Sequence, residues 1–312
     1  MAVTTRSGEG LIGRSLVSIV DLERGQIEHV LDLAESLGDR RTDDLHGTQV
    51  ALLFYEPSTR TRNSFLTAVH HLGGTVAGFD TAEGTSVQKG ETLHDTIKMF
   101  EAYCEAIVLR HPRDGAARWA ADVSRVPVIN AGDGKNQHPT QTLLDLYAIR
   151  QTQGRLDGLQ VALTGDLKFG RTVHSLADAL ALFDGIVLHL VAPDGLAFPP
   201  HHLKQLRERG VKIVEHRRLE DVVSEVDVLY VTRIQRERMP DESEYEKVRG
   251  TYRVTASLLE RSRSTMKVLH PLPRVDEISP DVDGTRHAYY FEQAAGGVAV
   301  RKALLRLITA RA

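Results

Sequence analysis

The chain reads FYEPSTRTRNSF over residues 54–65, and this stretch decides both the fold class and the first candidate site. The apolar run Val50–Phe54 has the length and composition of a buried strand, which Pro57 ends. Ser58 is predicted to be an N-cap, because apolar residues follow it at helical spacing. Free N–H groups and the positive helix end favour an anion at such a junction. The added hydroxyls and guanidiniums predict a phosphate pocket, and the alternative is a capped surface helix with solvated arginines.

The overall composition restricts the class of protein. The 312 residues suffice for two domains, and a net charge of −3 predicts no nucleic acid or charged surface as partner. The single cysteine, Cys104, excludes an intrachain disulfide and is predicted to be a buried structural thiol. The histidines lack metal-ligand spacing, so we predict no metal. No cofactor is predicted either. The chain shows no signal-peptide core and no membrane span, which predicts a cytoplasmic location.

Strand and helix patterns alternate along the chain, which predicts an α/β fold of two doubly wound domains. Each domain is expected to be a mostly parallel sheet with helices on both faces, and interdomain helices near residues 139–155 join the two. Helices are also predicted at Leu219–Glu225 and Gly297–Ala310. The predicted strands are Val50–Phe54, Thr75–Phe79, Ala106–Leu109, Val126–Asn130, Gln160–Thr164, Ile186–Val191, Lys212–Val214, Val228–Val231 and Lys267–Leu269.

Further polar segments in the first half follow strands or open helices. Arg110 comes directly after a predicted strand, and ligands of open α/β sheets bind at the carboxyl ends of strands. His138 opens the long helix, where the helix dipole disfavours the charged imidazole, so a neutral ring could donate to a carbonyl oxygen. Gln141 lies one turn further on. A polar loop could bring Lys89 over an anion. The alternatives are solvated loop charges and a polar helix cap.

The second half contains a near-match to the phosphate-binding P-loop over Gly165–Thr172. Arg171 stands where that motif requires lysine, which weakens a nucleotide-binding reading and favours bidentate binding of a carboxylate. Arg233 and Gln235 follow another strand and alternate around Ile234, so they form a second candidate carboxylate site.

The segment His270-Pro271-Leu272-Pro273 also follows a predicted strand. Its prolines hold the backbone free of regular hydrogen bonding, so the carbonyls of Pro271 and Leu272 could accept from a substrate NH₂ group; a rigid loop is the alternative. One domain is thus predicted to hold a phosphorylated donor and the other a dicarboxylate. Positioning and charge stabilisation would then supply most of the catalysis.

These motifs resemble the signature set of the aspartate/ornithine carbamoyltransferase family, in the family's order and over nearly the whole chain. They are Ser58–Arg62, Arg110–Pro112, His138–Gln141, Gly165–Arg171 and His270–Pro273. The resemblance is closer to the aspartate branch, because the ornithine branch usually has a cysteine where this chain has Pro271 and a Ser-Met-Gly loop that is absent here. The alternatives are another acceptor such as ornithine or an N-acylated amino acid, a P-loop-like nucleotide-binding protein, and a non-catalytic homologue within an assembly.

The resemblance implies that the carbamoyl group of carbamoyl phosphate is transferred to the amino group of L-aspartate. The products would be N-carbamoyl-L-aspartate and phosphate, in the committed step of de novo pyrimidine biosynthesis. Residues 1–139, with a C-terminal helix at about 297–312, would bind carbamoyl phosphate, and residues 140–296 would bind aspartate. A homotrimer with sites shared between subunits is also implied, and a regulatory chain or a dihydroorotase is left open as a further partner.

The resemblance also assigns roles to individual residues. The implied catalytic residues are Arg60, Thr61, Lys89, Arg110 and His138. The implied ligands of carbamoyl phosphate are Ser58, Thr59, Arg60, Thr61, Arg110, His138, Gln141, Pro271 and Leu272. The implied ligands of aspartate are Lys89, Arg171, Arg233 and Gln235. Lys89 is expected to reach a neighbouring subunit's site together with a loop hydroxyl, for which Ser86 is preferred over Thr85.

Overall fold

The computed structural model describes residues 9–234 and 252–310. The chain divides into a first unit, which ends at residue 144 and resumes at residue 296, and a second unit, residues 145–295. Each unit contains one wholly parallel sheet with helices between its strands, so the predicted fold class is confirmed. None of the helices in the described ranges is long and apolar enough to cross a bilayer.

The first unit contains a four-stranded sheet in the order β2-β1-β3-β4. Its central strands are almost continuous runs of buried apolar residues, as parallel strands covered on both faces require. The strands are β1 (Gln49–Phe54), β2 (Thr75–Phe79), β3 (Ala106–His111) and β4 (Val128–Asp133). The helices are α1 (Arg24–Leu37), α2 (Thr59–His71), α3 (Leu93–Phe100), α4 (Ala116–Val123) and α5 (Pro139–Gln153), which continues into the second unit.

The second unit contains a five-stranded sheet in the order β7-β6-β5-β8-β9. The strands are β5 (Gln160–Thr164), β6 (Val187–Val191), β7 (Lys212–His216), β8 (Val228–Val231) and β9 (Lys267–Leu269). The helices are α6 (Arg171–Leu180), α7 (Pro200–Glu208), α8 (Ala256–Leu259) and α9 (Tyr290–Thr309), which ends in the first unit.

Each sheet has one topological switch point, where the chain moves to the opposite side of its first strand. From β1 the chain passes to β2 on one side and then returns to β3 on the other. From β5 it builds β6 and β7 on one side, then β8 and β9 on the other. Ligands of open parallel sheets bind beyond the carboxyl ends of the strands at such points. The expected ligand positions are therefore the ends of β1 and β3, and the ends of β5 and β8.

Some element predictions are wrong. The helix predicted at Leu219–Glu225 is only a 3₁₀ turn at Leu219–Asp221, because the β-branched Val222 and Val223 after it are fully buried in the core of the second unit. β3 continues to His111, which places Arg110 inside the strand, and β4 begins two residues later than predicted. The final helix starts at Tyr290 and not at Gly297.

A buried hydrogen-bond network in the second unit centres on Asp145 of α5. The Tyr230 hydroxyl donates to Asp145 Oδ2 at 2.8 Å, and Gln293 Nε2 donates to Oδ1 at 2.6 Å. Gln293 Oε1 accepts the His270 N–H at 2.8 Å. Burial, reinforced by the nearby carboxylate, raises the pKa of Tyr230 well above its usual value, so its hydroxyl remains a donor. The network ties α5, β8 and α9 to the end of β9.

Replacement of Asp145 by leucine is expected to lower the free energy of unfolding by about 3 kcal/mol. The change leaves the Tyr230 hydroxyl and the Gln293 amide buried without this acceptor, and each such loss costs about 1–3 kcal/mol. Urea denaturation measures the effect. Asp145→Asn retains one oxygen and should lose less; a leucine variant as stable as the parent would contradict the role given to the network.

Candidate active site

The first turn of α2 begins directly beyond β1. Ser58 occupies the N-cap position, as predicted, but its side chain makes no capping hydrogen bond. Thr61 is buried, whereas Thr59 and Arg60 are exposed. The leading N–H groups of the helix therefore have no side-chain cap, and this leaves them suited to an anion.

Arg110 lies beside this turn because β1 and β3 are paired in register. Phe54 is opposite Arg110, and the Tyr55 N–H donates to the Arg110 carbonyl at 2.9 Å. The guanidinium donates through Nη1 to the Ala131 carbonyl at 3.2 Å, while its Nε lies 3.7 Å from Glu56 Oε2. That Nε is buried and has no hydrogen-bond partner among the described residues. Burial lowers the pKa of Arg110, and the charge of Glu56 opposes this effect only in part. A largely buried guanidinium with one unsatisfied N–H group among the described residues thus lies at the first switch point.

His138 lies at the same edge of the first sheet, immediately before α5. It is 4% exposed, and Thr140 Oγ1 lies 3.4 Å from its Nδ1. When this hydroxyl donates to Nδ1, the ring proton resides on Nε2; the donor role given to the neutral ring stays a prediction. The preceding turn is fixed by Asp133, whose carboxylate accepts the N–H groups of Gly115 and Gln137. Gln141 is half-buried on the first turn of α5.

The loop after β2 forms a 3₁₀ turn at Ser86–Lys89. The Thr85 hydroxyl donates to the Ala82 carbonyl at 2.7 Å and accepts the Val87 N–H at 3.3 Å. Ser86 and Lys89 are exposed. The Thr85 hydroxyl is thus engaged within the loop, and the role of loop hydroxyl for Ser86 stays a prediction.

Two arginines follow the neighbouring strands β5 and β8 in the second unit. Gly165, at φ +108°, allows a close approach, since a Cβ atom there would lie 2.1 Å from the Thr232 carbonyl oxygen. Arg171 is the first residue of α6, and Arg233 comes two residues after β8; both are half-buried. The second switch point therefore also carries arginine. Gln235 lies outside the described residues.

The loop that carries Arg171 has its own internal supports. The Phe169 N–H donates to Asp166 Oδ1 at 2.9 Å, and His174 Nε2 lies 2.8 Å from the Leu167 carbonyl. Sequence reasoning missed His174, as it missed Glu56 and Asp133 in the first unit. Glu56 and Asp133 contact residues distant in sequence, and His174 contacts a residue seven positions earlier; no motif records these contacts.

Pro271 and Leu272 follow β9, the strand beside β8, and are half-buried. The structure thus groups the predicted residues by unit. The first sheet gathers Ser58, Arg110 and His138 at one edge, and the second gathers Arg171, Arg233 and the Pro271–Leu272 segment at one edge. Each unit is a doubly wound sheet with arginine at its switch point, which defines the class as a two-domain α/β protein.

Comparisons with known proteins agree with this class. Residues 14–151 match the family described as aspartate/ornithine carbamoyltransferase, carbamoyl-P binding domain, and residues 157–308 match the corresponding Asp/Orn binding domain. The chain is 57% identical over 300 residues to the aspartate carbamoyltransferase catalytic subunit of Thermococcus onnurineus, covering 95% of this chain and 96% of the relative. The relative of the same name from Chromobacterium violaceum is 56% identical over 296 residues, at 95% and 97% coverage.

Solved structures give the same result. The catalytic subunit of M. jannaschii aspartate transcarbamoylase superposes with a TM-score of 0.88 at 48% identity, covering 94% of this chain and 97% of that one. Aspartate transcarbamoylase from Trypanosoma cruzi, in complex with carbamoyl phosphate and aspartate, gives 0.92 at 38% identity, with 97% and 98% covered. The chain therefore belongs to the aspartate/ornithine carbamoyltransferase family.

Proposed function

We propose that the chain transfers the carbamoyl group of carbamoyl phosphate to the amino group of L-aspartate, giving N-carbamoyl-L-aspartate and phosphate. The observation that carries this proposal is the presence of arginine at the switch point of both sheets, Arg110 in one and Arg171 with Arg233 in the other. The names of the relatives and the ligands of the Trypanosoma cruzi complex support the same reaction.

In the proposed site the first unit binds the phosphate group. Backbone and hydroxyl donors at the start of α2 would meet the phosphate oxygens, and two guanidiniums would balance their charge. The residues assigned to this role are Ser58, Thr59, Arg60, Thr61 and Arg110. The buried Nε of Arg110, which lacks a hydrogen-bond partner within residues 9–234 and 252–310, would gain one on binding.

The carbamoyl group is assigned two sets of contacts. Thr61, Arg110 and His138 would donate to its carbonyl oxygen, where negative charge develops as the reaction proceeds. Gln141 and the carbonyls of Pro271 and Leu272 would accept from its NH₂ group. Donors and acceptors placed in this way fix both the position and the orientation of the reacting carbon.

The second unit is proposed to bind aspartate through Arg171, Arg233 and Gln235. Lys89 and the Ser86 hydroxyl are proposed to come from a neighbouring subunit, which makes the functional unit a homotrimer with shared sites. A regulatory chain or a dihydroorotase is left open as a further partner. The proposed setting is pyrimidine biosynthesis in the cytoplasm.

The proposed chemistry needs no dedicated protein base. The unprotonated amino group of aspartate attacks the carbamoyl carbon, and a C–N bond forms. His138, Thr61 and Arg110 stabilise the oxyanion of the tetrahedral intermediate. The intermediate collapses by breaking the bond between carbon and the bridging phosphate oxygen, and the departing phosphate takes the proton from nitrogen.

Parallel assays with two acceptors test the proposal. We expect phosphate and a ureido product from carbamoyl phosphate with L-aspartate and none with L-ornithine, because two arginines suit a dicarboxylate and repel an ammonium side chain. Colorimetric assays of both products measure the outcome. Turnover with ornithine alone would overturn the assignment of the second unit, and turnover with neither would overturn the catalytic role of the chain.

A further inference from the structure

His270, at the end of β9, has both ring nitrogens engaged. The Leu272 N–H donates to Nδ1 at 2.8 Å, and Nε2 lies 2.7 Å from Glu277 Oε1. Since Nδ1 accepts a hydrogen bond, the proton must reside on Nε2, which then donates to the carboxylate. The residue is 1% exposed, so water does not compete for either bond.

Glu277 holds the ring in this tautomer. Its second oxygen, Oε2, accepts the N–H groups of Val275 and Asp276, each at 3.1 Å. Burial raises the pKa of Glu277, but the bond from His270 and the other donors outweigh it, so the pKa lies below its usual value. An ionised carboxylate accepts from His270 and cannot donate to it. Glu277 therefore fixes the ring proton on Nε2 and leaves Nδ1 as the acceptor.

The bond to Nδ1 sets the direction of a backbone carbonyl. The peptide bond between Pro271 and Leu272 is trans. In a trans peptide the C=O and N–H groups point in opposite directions. With the Leu272 N–H held on the His270 ring, the Pro271 C=O must point away from that ring.

Leu272 also has a backbone conformation that needs support. Its φ is +51°, in the left-handed region, which is unfavourable for a residue with a Cβ atom. Its side chain packs against the core of the second unit, and its N–H is held by His270. The hydrogen bond to His270 is therefore one of the two contacts that hold Leu272 in this conformation.

The same local arrangement occurs at the end of β3. There the Arg113 N–H donates to His111 Nδ1 at 3.0 Å, with Pro112 between them. Because proline has no N–H, the residue after it supplies the donor for a histidine ring two positions earlier. A His-Pro-X turn that points the proline carbonyl away from the ring is thus used once in each unit.

We propose that His270 is a positioning residue, whose Nδ1 directs the Pro271 carbonyl toward the substrate NH₂ and so sets the preference for a carbamoyl over an acyl group. This inference rests on the proposed function. The acyl group of acetyl phosphate has a methyl in place of NH₂ and is the natural probe. A correctly directed carbonyl accepts a hydrogen bond from the NH₂ group of carbamoyl phosphate. With acetyl phosphate the same carbonyl faces a methyl group, which donates no hydrogen bond.

Replacement of His270 by leucine should lower the ratio of the affinities for carbamoyl phosphate and acetyl phosphate about tenfold, the equivalent of one lost hydrogen bond. Affinity for inorganic phosphate should stay unchanged, because phosphate has no NH₂ group. Titration calorimetry with the three ligands measures both quantities. A loss of stability alone would lower the affinities for all three ligands together and leave the ratio of the carbamoyl phosphate and acetyl phosphate affinities unchanged.

Two further variants keep the test independent of folding losses. His270→Asn places an oxygen near the position of Nδ1, so it should retain the ratio within about threefold. Glu277→Gln has a single oxygen, so its NH₂ must face either the His270 ring or the N–H groups of Val275 and Asp276. In the first orientation His270 accepts at Nε2 and carries its proton on Nδ1, so the Leu272 N–H loses its acceptor; in the second the Val275 and Asp276 N–H groups that anchor this side chain lose theirs. We therefore expect the isosteric glutamine variant to lower the affinity ratio.

His287 provides the matched control. It is a buried histidine of the same unit, 5% exposed, and its Nδ1 lies 2.9 Å from the Met266 carbonyl. His287→Leu should lower the melting temperature and keep the ligand ratio. If the parent protein turns over carbamoyl phosphate with aspartate but His270→Leu and Glu277→Gln keep its ratio, the positioning role is refuted. If the parent does not turn over these substrates, the proposed function itself fails.

Discussion

Replacement of Arg110 by alanine is expected to lower kcat/KM for carbamoyl phosphate by about two to three orders of magnitude. That is the usual loss when one preorganised donor to a developing oxyanion is removed. Arg110 is proposed to contact both the phosphate and the carbamoyl oxygen, and its buried Nε has no other hydrogen-bond partner among the described residues. Steady-state kinetics with saturating aspartate measure the loss.

Stability should change little in this variant, within about 1 kcal/mol. The side chain is 16% exposed and its burial is already unfavourable, as its lowered pKa indicates, while Glu56 is 38% exposed and can be solvated once its partner is gone. Inorganic phosphate should raise the melting temperature of the parent and not that of the variant. Arg113→Ala is the control, since Arg113 is an exposed cation of the same turn. A rate within fivefold of the parent would exclude Arg110 from the reaction.

The sequence predicts the bounds of several strands of this fold well. The bounds of β2, β5, β8 and β9 agree residue for residue with the predictions, since a short apolar run between turn residues has few alternatives in a parallel sheet. Cys104 is buried, as predicted. The residues that open α2 and α6 could also be identified, because an arginine at a strand-to-helix junction is visible as a local pattern.

The start of α9 could not be predicted, because it depends on tertiary packing. Gly297 looks like a helix boundary in the sequence but lies inside the helix. A Cβ atom there would lie 2.2 Å from Arg301 Nη1, so the glycine makes room for a guanidinium that packs 5.0 Å from the ring centre of Phe65. The missing side chain of Gly297 thus leaves room for a contact between residues that are far apart in the sequence.

The supporting residues of the site were missed for the same reason. Glu56, His174 and Glu277 act through bonds to the strand-end segments, and nothing in their local sequence distinguishes them from surface polar residues. The order of the strands in each sheet cannot be predicted from the local sequence either. Only the sheet topology reveals that Arg110 and Arg171 both lie at switch points, and this shared position is stronger evidence for paired ligand sites than either motif alone.

Replacement of Arg171 by lysine should raise KM for aspartate about 10- to 100-fold and leave KM for carbamoyl phosphate within a fewfold of the parent. Lysine keeps the charge but loses the planar fork that binds a carboxylate through two parallel bonds, and charge-assisted hydrogen bonds contribute about 1.5–3 kcal/mol. The position at the start of α6 adds the favourable helix end to the same carboxylate. Succinate, a dicarboxylate without an amine, separates binding from chemistry, and its inhibition constant should rise by the same factor.

The control for this change is Arg207→Lys, at an exposed arginine of α7 that pairs with Glu215 in the same unit. It should leave both KM values unchanged, because an exposed ion pair contributes little and lies on another helix. If Arg171→Lys lowered kcat and left KM and succinate inhibition as in the parent, Arg171 would act only in the transition state. If neither constant moved, the carboxylate would have to bind elsewhere, and Arg233 would become the first residue to replace.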